Sequence, residues 1–342
     1  MDKQDREKVD KSNMWDLLIN FHQHCKEGYS TLPSFIPEKI EFNKVVFCGM
    51  GGSAIGGDIL RVLVEKNSKI IFSVHRDYDV PSYVDEKTLL FATSYSGNTE
   101  ETISAYKEGL KRKANIFIIS SDGQLEKFAR EENLPFLKIP GGMPPRCAFG
   151  YLFFSSYRIL KELNILPEIE EKFFIEIENY VKSFSREKNK ALEIAQKIYN
   201  KIPLLYSDNY ILPCILRWKT QIAENSKSFS FVNVFPEMNH NEIMSFSFPE
   251  WFIKKIVCLF FNYGEEHERV KKRLKIIEEI IKNKNVETIK ISAKGSSFLE
   301  KMIYLVILGD WVSYYLALMN KIDPTEIEEI SYLKELLKRR EN

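Results

Sequence analysis

Short apolar runs alternate along the chain with longer stretches in which apolar residues recur every three or four positions. Residues 44–48, 69–74, 88–93 and 115–120 are runs of the first kind, rich in Val, Ile, Leu and Phe, and they predict strands buried on both faces. Between them, about 56–66 and from Thr99 to about 113, the helical period predicts helices, as it does over 10–30, where Trp15, Leu17, Leu18 and Phe21 are the apolar positions. Such alternation predicts a doubly wound α/β fold, a parallel sheet flanked by helices, with ligands at the carboxyl ends of the strands. After a charged helical stretch at 168–190 the pattern restarts. A strand is expected at 202–207, a helix at 211–227, an apolar run at 252–261 and a late strand at 286–291. Two α/β domains follow, one over 1–170 and one over 171–342. The apolar stretch 302–319 is interrupted by Asp310 and Ser313, so it predicts a helix buried between domains or subunits and not a membrane span.

Two of the strands in the first half end in serine-bearing turns. Gly49-Met50-Gly51-Gly52-Ser53-Ala54 follows the first strand and Ser94-Tyr95-Ser96-Gly97-Asn98-Thr99 follows the third. A strand-to-helix turn without large side chains offers backbone N–H groups and the positive end of a helix dipole to an anion, and hydroxyls add donors. Neither turn carries the lysine by which a P-loop reaches the outer phosphates of a nucleotide, so the expected anion is a single phosphate monoester. Ser94, Ser96 and Thr99 can converge on one tetrahedral anion, with Ser53 and Gly52 joining from the first turn. A dinucleotide site would need an acid at the end of the second strand, where the chain reads Ser73-Val74-His75-Arg76, and it would leave the second serine turn without a role. The second half has only Ser207-Asp208-Asn209 after its first strand, so it is expected to lack a phosphate site.

Charge narrows the partners. Lys and Arg total 49 against 48 Asp and Glu, so no basic face for nucleic acid is indicated. Five cysteines are scattered without metal-type spacing, which reads as reduced, buried thiols in a cytoplasmic protein, and the charged N-terminus lacks the apolar core of a signal peptide.

Further motifs complete the pattern: Pro145-Arg146-Cys147-Ala148-Phe149-Gly150-Tyr151, then Arg217-Trp218-Lys219-Thr220-Gln221-Ile222-Ala223-Glu224-Asn225-Ser226-Lys227, then Pro236-Glu237-Met238-Asn239-His240-Asn241-Glu242. Together with the two turns, in this order, they closely resemble the bifunctional phosphoglucose/phosphomannose isomerases, built from two sugar-isomerase (SIS) domains. The resemblance runs from about residue 45 to the end, with two departures, Ala223 before the glutamate and the Ser207-Asp208-Asn209 turn. It implies an isomerase free of metal and cofactor that interconverts glucose 6-phosphate, and mannose 6-phosphate, with fructose 6-phosphate through a cis-enediolate. It assigns Glu224 as the base moving a proton between carbons 2 and 1, Arg146 as the cation beside the enediolate oxygens, and His240 with Lys334 as the ring-opening groups. It further implies a homodimer in which the histidine comes from the partner subunit, and it makes Thr325 a candidate for the region around carbon 2. Taken alone, Glu224 reads as a solvated residue of a polar helix, Arg146 as a turn arginine, His240 as a loop histidine and Lys334 as part of an ordinary amphipathic helix. The alternative from another class is a non-catalytic phosphosugar-binding SIS regulator, which would need the serine turns but not Arg146, Glu224 and His240 together.

Overall fold

In the computed structural model, which describes residues 3–340, nine strands form two wholly parallel sheets. The first runs β2 (Ile71–His75), β1 (Lys44–Cys48), β3 (Thr88–Thr93), β4 (Asn115–Ser120), β5 (Phe136–Lys138). The second runs β7 (Phe231–Phe235), β6 (Ile202–Asp208), β8 (Ile256–Asn262), β9 (Glu287–Ser292), repeating the order of the first four strands of its counterpart. Lys44 lies opposite both Ile71 and Thr88, and Leu204 opposite both Phe231 and Cys258, so β1 and β6 occupy corresponding central places. The continuous apolar character of β3 matches its burial at every position, as helices on both faces require.

The expected elements are present with shifted ends. The helix after β1 is Gly51–Asn67, beginning five residues before the expected start, because its first turn is built from small residues that sequence reading assigns to a loop. The N-terminal stretch is two helices, Met14–Ile19 and Phe21–Ser30, and the charged stretch is likewise two, Glu171–Phe184 and Lys190–Ile198, the second capped by the Asn189 side chain accepting from the Leu192 amide. Strands β5 and β7 and the helices Gln124–Glu131, Phe149–Glu162 and Glu268–Lys282 were not expected. β7 is a partly exposed edge strand with a weak apolar signature, and β5 has three residues.

The two halves share one apolar core. It extends from Phe47 and Phe91 of the first sheet through Phe149 and Phe153 to Trp218 and Trp311. The helix Gly51–Asn67 packs on Leu212–Ser226, the helix that follows β6, so the helices after the two central strands meet. Leu212–Ser226 in turn lies along Phe298–Asn320. That helix is long and apolar enough to cross a membrane, yet 94% of its most apolar window is buried inside the protein, which makes it the spine of the core. Its close approach requires Gly309: a Cβ there would stand 2.4 Å from Cδ1 and Nε1 of the fully buried Trp218, whose indole donates to the Leu305 carbonyl. Gly309→Ala is therefore expected to destabilise the protein by about 2 kcal/mol, through displacement of a well-packed indole, as read from its urea midpoint. An unchanged midpoint would show that the interhelical contact is looser than these distances imply.

Candidate active site at the junction of the two halves

The two serine turns stand side by side at the carboxyl ends of the neighbouring strands β1 and β3. Ser53 Oγ accepts from the Tyr95 amide at 3.3 Å, joining one turn to the other, and the buried Ser94 hydroxyl lies 2.7 Å from Thr99 Oγ1. Ser96 is exposed and its Oγ accepts from the Asn98 amide. Gly97 has φ +65°, and a Cβ there would be 1.7 Å from the Asp122 carbonyl oxygen, so this turn admits only glycine. The helices Gly51–Asn67 and Glu100–Lys111 both start here, and neither N-cap residue, Met50 or Thr99, caps its helix with a side chain. Their first N–H groups and the hydroxyls converge on the strand tips, as anion binding requires.

The corresponding tips of the second sheet are closed by the protein's own carboxylates. Asp208 Oδ1 accepts from the amides of Tyr210 and Ile211, and its Oδ2 accepts from the Tyr263 hydroxyl. At the end of β8, Glu266 Oε1 accepts from the amides of Tyr263 and Gly264. Both acids are buried, and burial holds the Asp208 carboxyl above its ordinary value against these hydrogen bonds. At these tips the amides of Tyr210, Ile211, Tyr263 and Gly264 already donate to carboxylates of the chain itself.

Arg146 connects the cradle to the second half. Tyr95, fixed by Ser53, accepts through its hydroxyl from the Met143 amide, and the chain then passes through Pro144 and Pro145 into the turn Pro145–Ala148. Gly52 packs directly on this turn: a Cβ on it would be 3.3 Å from Arg146 Cα. The Arg146 side chain is 2% exposed. Its Nε donates to Asn225 Oδ1 at 2.7 Å, its Nη1 to Glu224 Oε2 at 3.3 Å, and its Nη2 to the carbonyls of Pro324 at 2.6 Å and Thr325 at 3.2 Å. Glu224 stands in the last turn of Leu212–Ser226 with its side chain 29% exposed. The helix ends at Lys227, whose left-handed conformation turns its Nζ back onto the carbonyls of Glu224 and Asp323. Ala223, the departure beside the glutamate, is exposed and takes no part in this cluster. Cys147 is buried and its thiol is pushed up to about 12, chiefly by burial, which leaves it inert beside the arginine.

A second arginine lies beneath the first and was not singled out from sequence. Arg217 is fully buried, donates in bidentate fashion to Asp310 at 3.0 and 2.8 Å, and uses Nη2 to hold the Arg146 carbonyl at 2.9 Å. Gln221 donates to the same Asp310, whose carboxyl is raised by burial and pulled back by the guanidinium. The available signal was Asp310 itself, an acid in the middle of an apolar helix, which needs a buried partner.

The structure brings Gly52, Ser53, Ser94, Thr99, Arg146 and Glu224 to one region, with Ser96 at its rim. His240 and Lys334 make no hydrogen bond or ion pair with Arg146 or Glu224 among the described residues. His240 is exposed in the turn Glu237–His240 after β7, and Lys334 is exposed on Glu328–Arg340. Near His240 in sequence, Phe229, Met244, Phe248 and Trp251 are all strongly exposed. Thr325 contributes its carbonyl to Arg146, while its hydroxyl is buried without a partner. A cavity of about 780 Å³, lined by Tyr157, Phe173, Leu299 and several glutamates, contains none of these residues.

Comparison with known proteins agrees with this geometry. Residues 40–137 match the SIS domain and residues 187–337 match the bacterial phospho-glucose isomerase C-terminal SIS domain. The chain is 39% identical over 334 residues to the bifunctional phosphoglucose/phosphomannose isomerase of Caldicellulosiruptor bescii, covering 95% of this chain and 98% of that one. It is 38% identical over 300 residues to the protein of the same name from Aquifex aeolicus, covering 87% and 91%. The crystal structure of glucosamine-6-phosphate deaminase from Thermotoga maritima shares the fold, with a TM-score of 0.66 at 16% identity over 91% of this chain and 96% of that one. With its two SIS-type sheets, its serine turns and an arginine tying them to a glutamate of the second half, the chain belongs to the bifunctional phosphoglucose/phosphomannose isomerase family.

Proposed function

We propose that this protein is an aldose–ketose isomerase interconverting glucose 6-phosphate and mannose 6-phosphate with fructose 6-phosphate. One observation carries the reading: the backbone of Arg146 packs on the phosphate cradle at Gly52, and its guanidinium holds Glu224. From Cα to Nη an arginine side chain spans as many bonds as a hexose 6-phosphate spans from phosphorus to carbon 2. A sugar gripped at its phosphate by Ser53, Ser94, Ser96, Thr99 and the amides around Gly52 therefore reaches Glu224 with its other end.

In this reading Glu224 removes the proton from carbon 2 of the open-chain aldose and returns it to carbon 1. The negative charge that develops on the enediolate oxygens is met by Arg146. Four of its five N–H groups are committed, one at Nε, one at Nη1 and two at Nη2, so one N–H on Nη1 is free for the substrate. Ring opening falls to His240 and Lys334. The exposure of His240 on its turn, and the exposed Phe229, Met244, Phe248 and Trp251 near it in sequence, support a homodimer in which each histidine completes its partner's site. The phosphate-binding domain spans 1–170 and the second domain 171–342. Five free, buried cysteines support a reducing, cytoplasmic setting.

Three outcomes test these assignments. Glu224→Gln should lower kcat by about a thousandfold while a phosphosugar still raises its melting temperature, since the amide keeps the shape of the carboxylate but is no base. Turnover close to that of the parent would remove Glu224 as the base. Glu224→Gln and His240→Ala chains, each inactive as a homodimer, should regain isomerase activity when co-expressed, because the mixed dimer holds one intact site. No recovery in mixed dimers would place histidine and glutamate on the same chain or the histidine outside the chemistry. Finally, titration calorimetry with a non-isomerisable hexose phosphate should give one site per chain, whereas two would mean that Asp208 and Glu266 do not close the second half.

A further inference from the structure

Arg146 has a second, neutral partner whose place in the site is set from deep in the core. Asn225 is 1% exposed and follows Glu224 directly in the helix Leu212–Ser226. Its Oδ1 accepts from Arg146 Nε at 2.7 Å and its Nδ2 donates to Ser313 Oγ at 2.9 Å. The Ser313 hydroxyl donates to the Asp310 carbonyl at 2.8 Å, so towards Asn225 it can only accept. Arginine can only donate. The amide is thus held in one orientation from both sides, its oxygen towards the guanidinium and its nitrogen towards the serine.

We infer that Asn225, oriented by Ser313, is a positioning residue that keeps Arg146 aimed at the reacting end of the sugar while leaving Glu224, among the described residues, as the only carboxylate on that guanidinium. The inference rests on the assignment of Glu224 and Arg146 above. A carboxylate at position 225 would accept the same hydrogen bond equally well, and burial would favour it as a counterion. The neutral amide satisfies the Nε donor without neutralising the charge that the enediolate needs. Through the guanidinium the same amide holds Glu224 at a fixed distance, because Nε and Nη1 lie on one rigid plane.

The charged surroundings of Glu224 are few. Arg146 faces it from the turn Pro145–Ala148, and Lys227 lies on its own helix with Nζ on the Glu224 carbonyl. Asp323 and Glu326, from the segment after the long helix, and Glu329, from the helix Glu328–Arg340, act on Lys227. Below, Arg217 pairs with Asp310 and reaches Arg146 only through its backbone carbonyl. An added carboxylate at 225 would act on Glu224 across the Arg146 guanidinium that both contact, with Lys227 and the Cys147 thiol as the other titratable groups beside them.

The test is Asn225→Asp, which changes charge and hardly any volume, assayed as isomerase across pH. A second carboxylate makes Glu224 harder to ionise, and an ionised base is present only above its own pKa. The acid limb of the kcat/KM profile should therefore move up by about one pH unit. At the same time kcat should fall about tenfold or more, with KM changed less than about threefold because the phosphate cradle is untouched. A role confined to folding would reduce the active fraction and leave the profile where it was, which would overturn the inference. Ser313→Ala removes the group that orients the amide without adding charge, and kcat should drop severalfold with no shift of the profile. Should Asn225→Asp yield no folded protein, unchanged kcat in Ser313→Ala overturns the inference. An inactive Glu224→Gln enzyme beside a fully active, unshifted Asn225→Asp enzyme would refute the role of Asn225 and leave the catalytic base standing.

Discussion

The guanidinium of Arg146 is the constraint on which the site rests. A buried arginine does not lose its proton, so each of its N–H groups must find an acceptor or carry a large desolvation penalty. Here the acceptors come from two places far away in sequence: the end of the helix Leu212–Ser226 and the Pro324–Thr325 turn. The backbone of the same residue packs on Gly52 and is held from below by Arg217. One side chain thereby sets the distance between a cradle in the first half and a carboxylate in the second. The shared apolar core makes this distance hard to change, because Leu212–Ser226 is packed against both Gly51–Asn67 and Phe298–Asn320.

The two halves carry the same strand order and two opposite solutions to the same electrostatic problem. Strand tips followed by helices concentrate unpaired N–H groups at one edge of each sheet. In the first half, small residues and hydroxyls surround these groups and leave them to an external anion. In the second, Asp208 and Glu266 supply anions from the chain itself. Asp310 follows the same logic inside the core, where an acid in an apolar helix is stable because Arg217 and Gln221 meet it. The result is a line of polar groups, from Asp310 through Arg217 and Ser313 to Arg146, running through an otherwise apolar interior.

Much of this was legible in the order of amino acids. The runs at 44–48 and 88–93 are strands because consecutive apolar residues bury both faces, and the turns after them carry glycine and serine that leave amides uncovered. Asp310 marked its helix as internal, and Ser207-Asp208-Asn209 marked the second half as lacking a cradle. These are local properties, set by residues within one or two turns of each other. The helix start was less legible where glycine serves a positive φ, at Gly51, and close approach, at Gly52, and the edge strand β7 was missed because its apolar alternation is weak.

What no local pattern could supply is which distant groups share a charge. Arg217 and Asn225 stand in one motif with Glu224, and only the packing of the helices sets Asp310 against the one and Ser313 against the other. Residues 78 and 179 positions away from Arg146 complete its hydrogen bonds, at separations where sequence spacing carries no information. Residue types and their neighbours specified the parts, because strand, turn and cradle are short-range physics. Burial made them into a site, since only a closed interior forces a charged group to take whichever partners the fold presents.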